Sequence, residues 1–353
     1  MTPLAGITVV EALSAACPLA LRLSAALAGR IAADLGARVV KLEPSEGDPV
    51  RRLAPFAGGG RSALFAFLNA GKQSVRDDAA IVTRLFEKAD AALVDAARDG
   101  RARSSVVLSM LAPDLPGAAG AGPQTEFTLM ALGGLLDIVG DPSRQPLSLG
   151  GHQLAYSAGL AAYAGLVAAL LRRPASEVAQ VSLLDVAVWI NWKSAASVAC
   201  MNELSTRAGR AAEWPVLRCA DGYYALVHQP ADWPALCGLS GDRRLGETRF
   251  ADPASRRANS LALADILEQS LGHLTRRELQ QRAKEMRLPL GAVWDMAELR
   301  RDPQTLARNF LAEARMGASA PLAIPRLPLL WNGAAFPVGA VPETAVGGLE
   351  LAS

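Results

Sequence analysis

Gly6-Ile-Thr-Val-Val-Glu-Ala-Leu13, the Ala-rich run Leu19 to Leu35, and Arg38-Val-Val-Lys-Leu-Glu43 open the chain as one readable unit. The first and third segments are short β-branched runs with apolar flanks, the pattern of buried strands. The middle segment is a helix, broken at Gly36, and Pro44 stops the second strand. Strand, helix and strand in that order make a βαβ unit, which requires a parallel sheet. Working outward, the sequence predicts a helix over Ala79 to Lys88 and strands at Ala91-Ala-Leu-Val94 and Ser105-Val-Val-Leu-Ser109. Helices over Glu126 to Val139 and Gln153 to Arg172 flank this sheet, and Gln180-Val-Ser-Leu-Leu-Asp185 leads into another helix.

Composition shifts after about Glu203. Asp221-Gly-Tyr-Tyr-Ala-Leu-Val227 reads as a strand, and Asp232 is placed to cap a helix opening at Trp233. Asn259 to Leu271 and Thr275 to Met286 are amphipathic, and Thr275 with Glu278 forms a capping box. A strand at Gly291-Ala-Val-Trp294 and a helix capped by Asp295 complete an α+β unit, whereas Pro321 to Trp331 reads as an extended arm. The expected organisation is a large α/β domain over 1–203, a smaller α+β domain over 214–315, and a returning arm over 316–353.

The 353 residues supply ample core, and 51% hydrophobic with 20% charged residues is ordinary for a globular protein. A net charge of +2 gives no field to attract nucleic acid or an anionic membrane. Cys17, Cys200, Cys219 and Cys237 are scattered and the only histidines are His152, His228 and His273, so neither a disulfide framework nor a metal site is expected. Met1-Thr-Pro lacks the basic start of a secretory signal. The uncharged run Leu154 to Leu171 is built mostly from Ala and Gly, so it reads as a buried helix rather than a membrane span. A cytoplasmic protein is expected. The Gly117/Gly120/Gly122 spacing in the loop Pro113 to Pro123 lacks the start and the βα setting of a nucleotide fingerprint.

Several ordered motifs carry a more specific reading: Gly6-Ile-Thr-Val-Val-Glu11, Ala33-Asp-Leu-Gly-Ala37, Val39-Val-Lys-Leu-Glu-Pro44, Gly47-Asp-Pro-Val-Arg51 and Asn69-Ala-Gly-Lys-Gln-Ser74. Near the other end stands Leu288-Pro-Leu-Gly-Ala-Val-Trp-Asp-Met-Ala-Glu-Leu-Arg-Arg-Asp-Pro-Gln304. Together they resemble the class III CoA-transferases, the group of formyl-CoA transferase, carnitine CoA-transferase and α-methylacyl-CoA racemase. The resemblance covers nearly the whole chain. It implies a Rossmann-like large domain, a small α+β domain, two subunits threaded through one another, and coenzyme A or an acyl-CoA as ligand.

In that family an aspartate attacks the thioester to form a mixed anhydride. Gly150 and Gly159 hold the register, and the matching position is Ala155, with no Asp or Glu between Asp141 and Glu177. A methyl group forms no anhydride. His152 is the one imidazole nearby, able to act as base or transient nucleophile or to cap the helix start. Glu126 falls on a family position for an acidic residue lining the site, and it also suits the helix start on which it stands. Tyr156 and Ser157 flank the site as packing or capping groups, and the racemase branch's histidine position is Thr125.

For coenzyme A, the resemblance implies contacts from Ser14 and Ala15 after the first strand, and from Asp95 and Ala96 where relatives carry Asn and Phe. Arg51 and Lys72, inside matched motifs, are the expected phosphate cations, with Arg52, Arg101 and Arg103 as further basic residues. Three readings remain open from sequence. The chain is a CoA-transferase-like enzyme with non-standard residues, a non-catalytic subunit paired with an active homologue (rather than a homodimer), or a CoA-dependent lyase or hydratase.

Overall fold

The computed structural model describes residues 2–98, 102–112, 122–172, 176–201, 207–212 and 214–343. Arg101, Gly117, Gly120, much of the stretch 203–213 and the end of the arm lie outside the described residues. The opening unit is β1 (Thr8–Ala12), α1 (Leu19–Asp34) and β2 (Arg38–Glu43). It continues through α2 (Ala63–Asn69), β3 (Gln73–Arg76), α3 (Ala79–Lys88), β4 (Ala91–Asp95) and β5 (Ser104–Ser109). Next come α4 (Glu126–Leu132), α5 (Gln153–Leu171), β6 (Val178–Ser182), α6 (Leu183–Ile190) and α7 (Trp192–Met201).

Six strands form one parallel sheet in the order β3-β2-β1-β4-β5-β6. One face carries Val10, Val40, Leu42, Ala92, Val94 and Val107 against Leu85 and Phe86 of α3. On the other face α1 and α5 pack closely. Gly159 makes this possible, because a Cβ there would stand 2.9 Å from Leu27 Cβ and 2.9 Å from the Ser24 carbonyl oxygen. The Ser24 hydroxyl then donates across the helix pair to the Ala155 carbonyl at 2.9 Å. Helix α5 is the one described helix long and apolar enough to cross a membrane, yet Leu154, Ala155, Ala158, Ala162 and Leu166 are buried within the fold. That is the burial expected of an internal helix.

Two compact units divide the chain: Met1–Leu135 with Ser148–Met201 and Ala307–Ser353, and Leu136–Leu147 with Asn202–Leu306. This division differs from the expected bounds in two places. The arm begins at Ala307 rather than 316, because Leu311–Met316 and Ser319–Pro325 pair as an antiparallel hairpin that cannot be split. The stretch over Pro321 to Pro325 is therefore paired strand and not a loose extension. Leu136–Leu147 joins the second unit, since α4 stops at Leu132 before Gly133 and Gly134, short of the expected Val139.

The second unit holds a three-stranded antiparallel sheet of β7 (Val216–Cys219), β8 (Gly222–Leu226) and β9 (Leu290–Ala292). Its core is built on Leu217, Tyr224, Phe250 and Leu267. The Thr275/Glu278 capping box forms as expected. Asp232 does not cap the following helix. Its carboxylate accepts instead from the Gln229 amide at 2.8 Å.

Candidate active site

A doubly wound parallel sheet binds ligands beyond the carboxyl ends of its strands, where the winding direction reverses. Here the chain runs from β1 to β2 and β3 on one side, then returns to β4 on the other, so that point lies between β1 and β4. Ser14 and Ala15 lie in the loop after β1, while Asp95 ends β4 and Ala96 follows it. Topology thus gathers four of the expected ligand contacts at one crevice.

Their side chains are differently disposed. Asp95 is buried and accepts from both the Ser14 amide at 2.7 Å and the Ser14 hydroxyl at 2.6 Å. It closes the loop after β1 instead of presenting free charge to a ligand. Ala15 and Ala96 are exposed. Sequence reasoning missed Arg22, a buried guanidinium that donates to the carbonyls of Ser14 (2.7 Å), Ala15 (2.9 Å) and Cys17 (3.1 Å). The available signal was an arginine set within the apolar, small-residue pattern of α1, as Arg30 is further along. Cys17, beneath this loop, is no nucleophile: burial first, then the charge of Asp95, pushes its thiol up to about 12.

The expected phosphate cations require correction. Lys72 is buried, and its ammonium donates to Glu11 (2.7 Å), the Ala26 carbonyl (2.8 Å) and Asn69 (2.9 Å). All three protons are committed, so none is left for a phosphate. Glu11 also receives Lys41 at 2.5 Å, and Lys41 reaches Asp48 at 2.6 Å, so the matched motifs build a closed ionic network. Arg51 forks onto Glu43 at 2.6 and 2.7 Å, lies 3.8 Å over the Phe65 ring, and donates to the Pro342 carbonyl at 3.2 Å. Its guanidinium clamps the arm. Glu43 is held below the usual carboxylate range because hydrogen bonds from Arg51 and Ser74 outweigh its burial. Arg52 and Arg103 are exposed.

Beside the crevice, Pro18, Leu19 and Ala20 at the start of α1 face Met110, Phe127 and Met130 across a cleft of about 470 Å³. Gln124, Thr125, Glu126, Ser148 and His152 complete its polar lining. Glu126 opens α4, and His152 immediately precedes α5, so two helix starts meet here. His152 Nδ1 stands 2.8 Å from Glu126 Oε2, while Glu126 Oε1 accepts the Ala155 amide at 3.0 Å. A carboxylate only accepts, so Nδ1 carries the hydrogen, and Nε2 has no partner among the described residues.

Ala155 is fully buried and is not among the residues lining the cleft. Tyr156 sits edge-on to His152 and to Phe67, with ring centroids 6.2 and 6.3 Å away. Burial first, then the Glu126 charge, raises its phenol, which keeps it neutral. The Ser157 hydroxyl returns to the Gln153 carbonyl at 2.9 Å. Among the described residues no group of three or more His, Cys, Asp or Glu is arranged to hold a metal.

Fold and site together define a parallel-sheet protein with a ligand crevice at its winding reversal and an imidazole–carboxylate pair in an adjoining apolar cleft. The chain belongs to CoA-transferase family III, whose model matches residues 4–344. It is 27% identical over 342 residues to a succinate–glutarate CoA-transferase of Agrobacterium fabrum, a match covering 87% of this chain and 84% of the relative. It is also 27% identical over 315 residues to an acetyl-CoA:oxalate CoA-transferase of Acetobacter aceti, covering 80% of each. The crystal structure of a CAIB/BAIF family protein from Brucella suis superposes with a TM-score of 0.80 at 24% identity, over 96% of this chain and 95% of that one. That likeness confirms the mixed α/β architecture.

Proposed function

We propose that this chain binds an acyl-CoA at the crevice between β1 and β4 and transfers CoA to a carboxylic acid without an aspartyl intermediate. Ala155 fills the family's nucleophile position, and His152 with Glu126 supplies the proton chemistry. The observation that carries this reading is the 2.8 Å contact between His152 Nδ1 and Glu126, with Nε2 unpartnered among the described residues beside the cleft. An acceptor carboxylate oxygen adds to the thioester carbon, the carbon–sulfur bond breaks, and protonated Nε2 gives its proton to the departing thiolate. In the second step Nε2 takes that proton back as the sulfur adds to the acceptor's carbonyl, and the first acid leaves as carboxylate. Glu126 holds the ring in the required tautomer and offsets the imidazolium charge.

Such a reaction needs both substrates bound together. Initial-rate plots should therefore intersect, and intact-mass analysis after mixing with acyl-CoA should show no acyl adduct. Parallel plots or an adduct would refute it. His152→Ala should lower turnover by about 10²–10⁴. Four unpaired cysteines fit a reducing cytoplasm as the place of action.

One observation favours a second reading, a subunit that works with another chain of this fold. Trp189 and Trp192 of α6 and α7 are 77% and 66% exposed, and Val188 and Met201 of the same helices are exposed too. An apolar surface of this kind suits burial against a second subunit. Purified alone, a chain that binds acyl-CoA with no turnover, and gains it only with a homologue, would establish that reading instead. Turnover that needs no acceptor acid would point to a lyase or hydratase.

A further inference from the structure

The lining of the cleft beside His152 and Glu126 distinguishes between acyl groups. Pro18, Leu19, Ala20, Met110, Phe127 and Met130 supply its apolar walls. Among the described residues of the lining the one carboxylate is Glu126, whose two oxygens accept from His152 and the Ala155 amide. No Lys or Arg stands among the described residues of the lining. Arg22, a buried guanidinium in the first turn of α1, is committed to three carbonyls of the loop after β1. A substrate with a second carboxylate would therefore lose its hydration on apolar walls and face the like charge of Glu126. A straight or branched hydrocarbon acyl chain would gain by leaving water.

We infer that the acyl substrate is an apolar monocarboxylic group, not a dicarboxylic one. This rests on the proposal that the cleft receives the acyl end of an acyl-CoA, and the relatives named for succinate, glutarate and oxalate differ from it in that respect.

The test is calorimetric titration of the full chain with hexanoyl-CoA, butyryl-CoA, succinyl-CoA and free CoA, with turnover measured separately. The expected result is hexanoyl-CoA bound at least tenfold more tightly than succinyl-CoA, and more tightly than free CoA. Equal or tighter binding of succinyl-CoA would overturn the inference. Binding ranked as expected without turnover would overturn the catalytic proposal and leave this inference standing. No binding of any thioester would overturn both. Leu19→Arg places a cation at an exposed lining position, where folding is least at risk. It should narrow or invert the ratio, and an unchanged ratio would show that the acyl group lies elsewhere.

Discussion

Lys72→Met is the sharpest test of how the matched motifs work, because it separates a structural ammonium from a phosphate ligand. The side chain is fully buried, and its loss leaves Glu11 and Asp48 facing Lys41 alone, so a balanced set of two acids and two bases acquires a net buried negative charge. The Asn69 side-chain oxygen also loses its donor. Breaking a buried pair in this way costs about 3–5 kcal/mol, since an uncompensated charge remains out of water. Combining it with Glu11→Gln removes the excess charge, so the double variant should be more stable than the sum of the two losses by about 1–3 kcal/mol. Urea unfolding of the four proteins, followed by circular dichroism, measures this cycle. At temperatures where Lys72→Met remains folded, its affinity for acyl-CoA should stay within about twofold of the parent. A stability loss below about 1 kcal/mol, together with a tenfold loss of affinity, would refute the network and return Lys72 to the ligand.

Two further outcomes are expected from the same geometry. Asp95→Ala orphans the Ser14 amide and hydroxyl, and should cost about 1–3 kcal/mol while weakening acyl-CoA binding, as read by thermal melts and calorimetry. Ala155→Asp sets a second carboxylate into a buried position whose amide Glu126 already holds, so it should lower the melting temperature and form no acyl-enzyme. A hydroxylamine-sensitive adduct in that variant would show that only the nucleophile had been lost.

The parallel sheet was legible because its strands are β-branched runs punctuated by Gly36 and Pro44, and α3 and β2 fall on their expected bounds. The hairpin of Leu311–Met316 with Ser319–Pro325 was not, because Pro321 and Pro325 are poor strand residues that a two-stranded ribbon with open edges tolerates. Topology brings Ser14, Ala15, Asp95 and Ala96 to one place, since parallel neighbouring strands end at the same edge of the sheet. Charge was the unreadable part. A lysine within a matched motif looks the same in sequence whether its ammonium meets Glu11 inside the fold or a phosphate outside it. Deciding between them needs the register that sets Glu11 beside Lys41 on the face packed by α1.

The same reasoning decides what Glu126 does. One of its oxygens accepts from His152 and the other from the Ala155 amide, so an attacking Glu126 would have to give up one of these bonds, to the imidazole or to the start of α5. Its part is then to orient His152, and Glu126→Gln distinguishes that part from simple helix capping. The Gln carbonyl can still accept the Ala155 amide, so the helix start and the melting temperature should be retained. Its neutral amide would turn NH₂ toward Nδ1 and could not offset an imidazolium, so the proton carrier for the departing thiolate would lose its counter-charge. Turnover should fall about as far as in His152→Ala, and adding the two changes together should cost little more, because both disable the same proton carrier. If Glu126→Gln kept full turnover while His152→Ala lost it, the imidazole would act without its carboxylate, and the pairing seen in the structure would be only a cap.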